Sequence, residues 1–581
     1  GRTDTRSGDC VIASIVNVTI GLISMKKFLI SILVILVVAV TLWQNRLNLL
    51  LFAAPTLKAL TGNIEANKPV VWPQGPASAE TTPAERPPNI ILILTDDMGF
   101  NDISLYNGGA ADGSLQTPNI DRIAEQGIHF NNGYAANAVC TSSRASLLTG
   151  RYSTRFGVEY TPIYKTGVRI FNWMEEINPS TPPVLVDMDL AASLPPINAL
   201  GMPAAEITIG EVLQQQDYYT AHIGKWHLGS NGDMRPEQQG FDDSLYMKGI
   251  FYLPPDHPDV VNAKIPGDSI DSMVWAVGSY EVQWNGGPPF EPKGYLTDYF
   301  TDAAVDVIEA NRHRPFFLYL AHWGPHNPVQ AGREDYDALS HIKDHRLRTY
   351  AAMLRALDRS VEKIEVSLQE NGLSDNTLII FTSDNGGAGY LGLTDLNKPY
   401  RGWKLTHFEG GTHVPYMAKW PAQIEAGQSS DEAIHHIDMF HTIAAAAGAS
   451  VPTDRQLDGV NLLPFMQGEQ TGPPHKTLFW HAGHQQTVWH QGWKMIRAEQ
   501  SDKPGADPIV FLFDLNNDPT EQNNLIAQQP EKAAELTALL DAHHAQQATP
   551  LWDSALNAPQ LIDKPTNHPY EAGDTYLYWP N

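Results

Sequence analysis

Cysteine is almost missing from this chain: Cys10 and Cys140 are the only two in 581 residues. That excludes a disulfide scaffold and a thiolate-rich metal site. With translation expected to start at Met25, Cys10 drops out and no internal disulfide can form. Basic residues are also scarce. Lys plus Arg number 39 against 65 Asp plus Glu, a net charge of −26. Such a surface argues against nonspecific nucleic-acid binding, because nothing displaces counterions from phosphates. Any anion must be met by a local basic pocket that overrides the global field. Internal repeats are absent too, which argues against a solenoid.

What is present begins with an export segment. Met25-Lys26-Lys27 precedes "FLISILVILVVAVTLW", a basic start followed by an apolar run. It reads as a signal peptide or a membrane anchor, and no small-x-small cleavage site decides between them. The protein is expected to be exported: periplasmic, membrane-anchored or secreted. Residues 1–62 form this leader, and 63–88, rich in Pro, Ala and Glu, read as a linker. Residues 89–465 follow as a large domain, 466–548 as a smaller one, and 549–581 as an extended tail along the surface.

The large domain alternates buried strands with helices. "NIILILTDDMGF", "RPFFLYLAHWGPH" and "NTLIIFTSDNGG" are short apolar runs ending in polar residues. "TPNIDRIAEQG", "EITIGEVLQQQ", "YLTDYFTDAAVDVIEANR" and "TYAAMLRALDRSVEKIEVSLQENG" carry helical spacing. This predicts an α/β fold, a large, mixed and mostly parallel sheet sandwiched by helices. The smaller domain, with "KTLFWHAG", "QTVWHQGWKMIRA", "PIVFLFDLNNDP" and one helix, is predicted to be α+β on an antiparallel sheet.

In open α/β sheets, ligands bind beyond the carboxyl ends of the strands. Asp96 and Asp97 end one strand; Asp384 and Asn385 end another. Their hard oxygens suit Ca²⁺ or Mg²⁺ rather than zinc. Either pair alone would more simply shape a turn; two pairs in one sheet favour a metal. Lys225 and His227, two apart on an extended segment, point to one side. His326 offers a general acid and Lys404 a cation for an anionic ester. Each alone could be a satisfied His or a snorkelling Lys. Cys140 precedes Ser142, Ser143 and Arg144, then Ala145, Leu147 and Leu148 at helical spacing. This places Cys140 at a helix N-terminus, where negative charge is favoured.

"CTSSRASLLTGR" resembles the signature of the type I, formylglycine-dependent sulfatases of the alkaline phosphatase superfamily. The resemblance extends, in order, through "PNIILILTDDMG", "TPNIDRIAEQGIHFNNGYA", "HIGKWHLG", "PFFLYLAHWGPHNP", "FTSDNGG", "HFEGGTHVPYMAKWP", "DGVNLLPF" and "FLFDLNNDPTEQNNL". It implies an alkaline phosphatase-like core and a sulfuric ester hydrolase. By resemblance, a maturation enzyme converts Cys140 to formylglycine, so the lone thiol is spent in maturation. Asp96, Asp97, Asp384 and Asn385 hold Ca²⁺, with Mg²⁺ the second choice. The aldehyde hydrate is the nucleophile; Lys404, Lys225 and Arg144 neutralise the sulfate; His326 protonates the leaving alcohol and His227 helps expel sulfate. Ser142 stands where Pro is commoner, His413 where Arg is common, and Trp403 where Gly is usual. The last two are expected on the leaving-group side.

Specificity is expected in insertions at about 157–205 and 245–292, whose Trp173, Tyr252, Trp275, Tyr280, Trp284 and Phe290 either stack on sugars or form local core. The expected substrate is a sulfated glycan fragment, or else a small sulfate ester. A phosphonate or phosphodiester hydrolase and a non-catalytic glycan-binding protein are the alternatives.

Overall fold

The computed structural model describes residues 6–46, 49, 53, 63–82, 85–106, 108–111, 113–177, 179–265 and 268–581. Residues 1–61 and 62–581 are two separate units. In the first, a helix runs Arg6–Gln44, and its Met25–Gln44 portion, mean hydropathy 2.4, is long and apolar enough to cross a membrane. An apolar N-terminal helix of this kind is consistent with export.

The second unit is built on strands β1 (Asn89–Asp96), β2 (Ile128–Tyr134), β3 (Leu185–Val186), β4 (Tyr219–Gly224), β5 (Asp243–Met247) and β6 (Val260–Asn262). They continue with β7 (Val282–Trp284), β8 (Phe316–Pro325), β9 (Gln330–Gly332), β10 (Thr377–Ser383), β11 (Tyr416–Lys419) and β12 (Gln428–His435). Nine of them form one sheet in the order β12-β2-β11-β10-β1-β8-β4-β5-β7. Its centre, β10-β1-β8-β4-β5, is parallel, while β11 and β7 run antiparallel to their neighbours. The mixed, mostly parallel sheet expected from the sequence is what forms.

Strand β1 is buried at every position, so it feeds both faces. Ile91 and Ile93 join one core, with the Leu296–Ala310 and His345–Glu370 helices. Ile90, Leu92 and Leu94 join the other, with the Cys140–Thr149 and Asp438–Ala446 helices. The long His345–Glu370 helix starts where the Asp344 side chain accepts from Leu347 N (2.8 Å) and stops before Gly372, whose φ of +68° suits glycine.

Strands β13 (Thr477–Ala482), β14 (Gln485–His490), β15 (Trp493–Ala498) and β16 (Ile509–Asp514) make the predicted antiparallel sheet. One face buries Val488, Met495 and Leu512 under Leu536 and Leu540 of the Pro530–His544 helix. The other meets Phe408 from the large domain through Phe511 and Phe513.

Two expectations from composition fail. The 63–88 segment is no free linker: Trp72 is 3 % exposed, edge-on to Trp284, and Asn67 Nδ2 donates to Glu291 O. Burying a Trp side chain outweighs the Pro-rich tendency around it. The 549–581 segment is more than an extended tail: β17 (Leu556–Leu561) and β18 (Tyr576–Pro580) pair with each other and β17 with β3, burying Tyr578 and Trp579, while much of the rest stays at the surface. The insertion aromatics are mostly core. Tyr252 and Phe290 are fully buried, Tyr280 and Trp284 pack against the same core, and Trp275 meets Phe251 at a tilt.

Buried Asp102 follows β1. Its Oδ2 accepts from Tyr350 Oη and Gly99 N, both at 2.7 Å, while Oδ1 has no partner among the described residues. Burial pushes its carboxyl up to about 8. The folded state then keeps a proton that the unfolded chain releases near pH 4. This contribution to stability is full at low pH and is lost as pH rises towards 8. Asp102→Asn is therefore expected to melt higher than the wild type near pH 8 and to lose that advantage by pH 4.5, measured by thermal unfolding. An advantage independent of pH would overturn the assignment.

Candidate active site

The chain puts its chemistry at the carboxyl ends of β1, β8 and β10. In register, Thr95 of β1 faces Ser383 of β10, so Asp96-Asp97 and Asp384-Asn385 emerge side by side. Asp97 adopts φ +61°, an uncommon left-handed turn for a non-glycine, and its backbone N donates to Asp384 Oδ1 (3.2 Å). Asn385 Nδ2 donates to Asp97 Oδ1 (2.8 Å), while Asn385 Oδ1 is buried without a hydrogen-bond donor among the described residues.

Cys140 opens the Cys140–Thr149 helix, as expected, and is buried. Its Sγ lies 3.5 Å from Asp96 Oδ1 and 3.4 Å from Lys404 Nζ. Ligand atoms of Asp96, Asp97, Cys140 and His326 all lie within 4.8 Å of one another. Burial, then the charge of Asp384, pushes the Cys140 thiol up. It stays protonated and is a poor nucleophile as a thiol.

Cations line the same volume. Arg144, fully buried, reaches Asp384 Oδ2 through Nε (2.9 Å) and Nη2 (2.8 Å), and donates from Nη1 to Lys225 O (3.1 Å). Lys225 Nζ meets Asp96 Oδ2 at 2.6 Å and lies 4.8 Å from the centre of the Trp323 ring. Lys404 Nζ meets Asp97 Oδ1 at 2.7 Å. Burial opposes the charges of Arg144 and Lys404, but Asp384 and Asp97 override it and hold both protonated. Burial and Asp384 push Asp96 up, whereas Lys404 holds Asp97 low against burial.

His326 Nδ1 faces Asn327 O (2.7 Å), an acceptor, so this nitrogen carries a proton. Its Nε2 faces Lys404 Nζ at 3.3 Å, and its ring stacks on Trp323. Burial, reinforced by neighbouring lysines, drives the imidazole towards neutrality. His227 is depressed by burial and then by Lys225, Arg144 and Lys404, which places it in the same field. It has φ +62°, so Lys225 and His227 do not lie on a simple extended segment.

Nine of the ten predicted residues are joined by direct contacts, with His227 two residues beyond Lys225, but two neighbours fall elsewhere. His413 is 1 % exposed and bonds Glu409 Oε2 (2.8 Å) and Asn131 O (2.6 Å). It cannot meet a leaving group. Trp403 is buried against Gly389, whose Cα–H leaves room for the indole where a Cβ would not. Two tyrosines that the sequence did not assign to the strand-end site also serve it. Tyr390 Oη donates to Asp97 Oδ2 (3.1 Å), and Tyr252 Oη bonds the carbonyls of Trp323 and His326, both at 2.9 Å. Tyr390 follows the glycines of "NGGAGY", a local signal of a backbone loop near the site. Tyr252 had no such signal, since it lies in an insertion remote in sequence.

Comparison with known proteins agrees with this geometry. The Sulfatase family model matches residues 88–449, and the N-sulphoglucosamine sulphohydrolase C-terminal model matches 402–548. N-acetylgalactosamine-6-sulfatase of Homo sapiens is 32% identical over 500 residues, covering 79% of this chain and 86% of that protein. Steryl-sulfatase of Mus musculus is 28% identical over 556 residues, covering 80% and 82%. The solved structure of Ps i-CgsB in complex with k-i-k-neocarrahexaose has a TM-score of 0.65 at 28% identity, covering 80% of this chain and 95% of that one. With its fold, its strand-end site and these matches, the chain belongs to the sulfatase family, the sulfuric ester hydrolases.

Proposed function

We propose that this protein hydrolyses a sulfate ester on a carbohydrate, using formylglycine formed from Cys140 and a divalent cation, Ca²⁺ before Mg²⁺. The observation that carries the reading is the convergence of Cys140, Lys404, Lys225 and Arg144 on the Asp96–Asp97–Asp384 carboxylates. N-acetylgalactosamine-6-sulfatase and the neocarrahexaose-bound Ps i-CgsB support a sulfated sugar as substrate.

The residues fit the cation. Asp96, Asp97, Asp384 and Asn385 offer hard oxygens, and the buried Asn385 Oδ1 lacks a donor among the described residues, as expected of a ligand atom. When bound there, the cation supplies Lewis-acid polarisation of a sulfate oxygen. The aldehyde hydrate supplies a hydroxyl nucleophile and, in its second hydroxyl, a route to release sulfate that a serine ester lacks.

The remaining work falls to this chain's side chains. Lys404, Lys225 and Arg144 bind the sulfate oxygens in a site that excludes water. His326 carries a proton on Nε2 to the leaving oxygen, with Nδ1 fixed on the Asn327 carbonyl and Lys404 alongside. An arriving sulfate monoanion favours the imidazolium that this step needs. His227, held neutral, accepts the proton when sulfate is expelled. Maturation requires a formylglycine-generating enzyme, and the Met25–Gln44 helix serves as signal peptide or anchor for a periplasmic, membrane-anchored or secreted enzyme.

The test compares sulfated sugars with matched phosphate monoesters and diesters, before and after chelation. Sulfate esters are expected to be preferred, with activity lost on chelation and restored best by Ca²⁺. Faster phosphodiester turnover, or activity indifferent to chelation, would overturn the proposal.

A further inference from the structure

Lys404 sits on a loop that its own sequence does not stabilise. Gly402 has φ +85° and Leu405 φ +71°, a conformation unfavourable for a bulky residue. Such a backbone persists only where its surroundings over-determine it. The loop closes at its neck, where Gly410 N donates to Arg401 O (2.7 Å). At its tip, Lys404 N donates to Gly387 O (3.0 Å) and Leu405 N to Ala138 O (2.9 Å), next to the strand-end loop and the Cys140 helix.

Both sides of that neck are held by one residue of the loop that follows β16. Glu521, fully buried, accepts Arg401 Nη1 on its backbone carbonyl (3.0 Å) and Glu409 N on Oε2 (2.6 Å). Its other carboxylate oxygen meets Lys494 Nζ (2.9 Å), and the same Nζ meets Glu409 Oε1 (2.7 Å). Lys494, on β15, is also fully buried. The remaining oxygen of Glu409 faces His413 Nδ1, and His413 Nε2 faces the Asn131 carbonyl. Both ring nitrogens of His413 thus face oxygen atoms, of Glu409 and of the Asn131 carbonyl. Glu409 and Glu521 share the Lys494 ammonium in a buried cluster: Lys494 and then His413 hold the Glu409 carboxyl low against burial, while burial pushes the Glu521 carboxyl up to about 7. Removing one member would leave an uncompensated buried charge, so the cluster is stiff.

We propose that Glu521 is a positioning residue for sulfate-ester hydrolysis, clamping the neck of the Lys404 loop so that Lys404 Nζ reaches the sulfate. The proposal rests on the reading of Lys404 as a sulfate-binding cation. It gives the small domain a role in the reaction, because Lys494 and Glu521 both come from it. His413, standing where the family commonly has Arg, bonds Glu409 within the clamp and does not select substrate.

The test uses the full-length matured enzyme. Glu521→Gln keeps the shape and removes the charge. Turnover per folded molecule and inhibition by inorganic sulfate are measured, with thermal unfolding to count folded protein. The expected result is a fall in kcat/KM of roughly 10–100-fold, with weaker sulfate inhibition. In a Lys404→Ala background, Glu521→Gln is expected to change sulfate affinity by less than about twofold, since the two substitutions act on one interaction. Equal losses of sulfate affinity in both backgrounds, or kcat/KM per folded molecule within about threefold of wild type, would overturn the clamp. If Glu521→Gln does not fold, Arg401→Met removes the bond to the Glu521 carbonyl, the partly exposed ion pair with Asp563 and the guanidinium's place 5.0 Å from the centre of the Phe408 ring, and the same readouts and limits apply. A wild-type enzyme that does not turn over sulfate esters would instead sink the functional reading.

Discussion

Cys140→Ala is expected to lower turnover of a sulfate ester by at least about 10⁴-fold while leaving the protein folded. The loss is large because alanine can yield no nucleophile, and the cations around it cannot replace one. The fold should survive because the Sγ atom makes few contacts that matter to packing. Its neighbours are polar: Asp96 at 3.5 Å, Lys404 at 3.4 Å and Asp97 at 3.9 Å. Lys404 keeps Asp97, and Asp96 keeps Lys225, when the thiol is gone. A stability change within about 1–2 kcal/mol is therefore expected. Turnover and thermal unfolding check both halves. Peptide mass across Cys140 in the wild type adds a third, since conversion of –CH2SH to –CHO exchanges sulfur for oxygen and removes two hydrogens. Wild-type-like turnover by Cys140→Ala would sink the mechanism.

The sequence makes such a site legible because its parts are local. Asp96 and Asp97 end an apolar run, Asp384 and Asn385 end another, and a parallel sheet brings strand ends to one edge whatever the rest does. Trp72 and the 549–581 strands show the limit. Proline-rich composition measures local stiffness, but burial depends on partners far away: Trp284 for Trp72, and β3 for β17. His413 and Glu521 show a second limit. Each lies in a block that resembles the family, yet neither block reveals that Glu409 and Lys494 join them. A charged residue in a conserved-looking block reads as substrate contact or as structure with equal ease until its burial is known.

Arg144→Met tests the electrostatic economy of the whole centre. The guanidinium is fully buried and bonds Asp384 through two nitrogens, with a third contact to the Lys225 carbonyl. Removing it leaves the buried Asp384 without its main compensating charge, and Asp96 with Lys225 alone. Breaking a buried ion pair from one side costs about 3–5 kcal/mol, and thermal unfolding of chelator-treated protein should show a loss of that order. Turnover should fall by at least about 10²–10³-fold, because one of the cations facing the sulfate has gone. The two losses have different origins, and they separate experimentally. Arg144 also belongs to the signature that precedes maturation, so an inactive variant could simply retain its thiol, which peptide mass across Cys140 reveals. The stability loss carries no such ambiguity, since it arises from Asp384 and Asp96 whether or not Cys140 has been converted. An Arg144→Met protein that melts like the wild type would mean that Lys225 alone balances these carboxylates, and the charge assignment of the site would have to be redrawn.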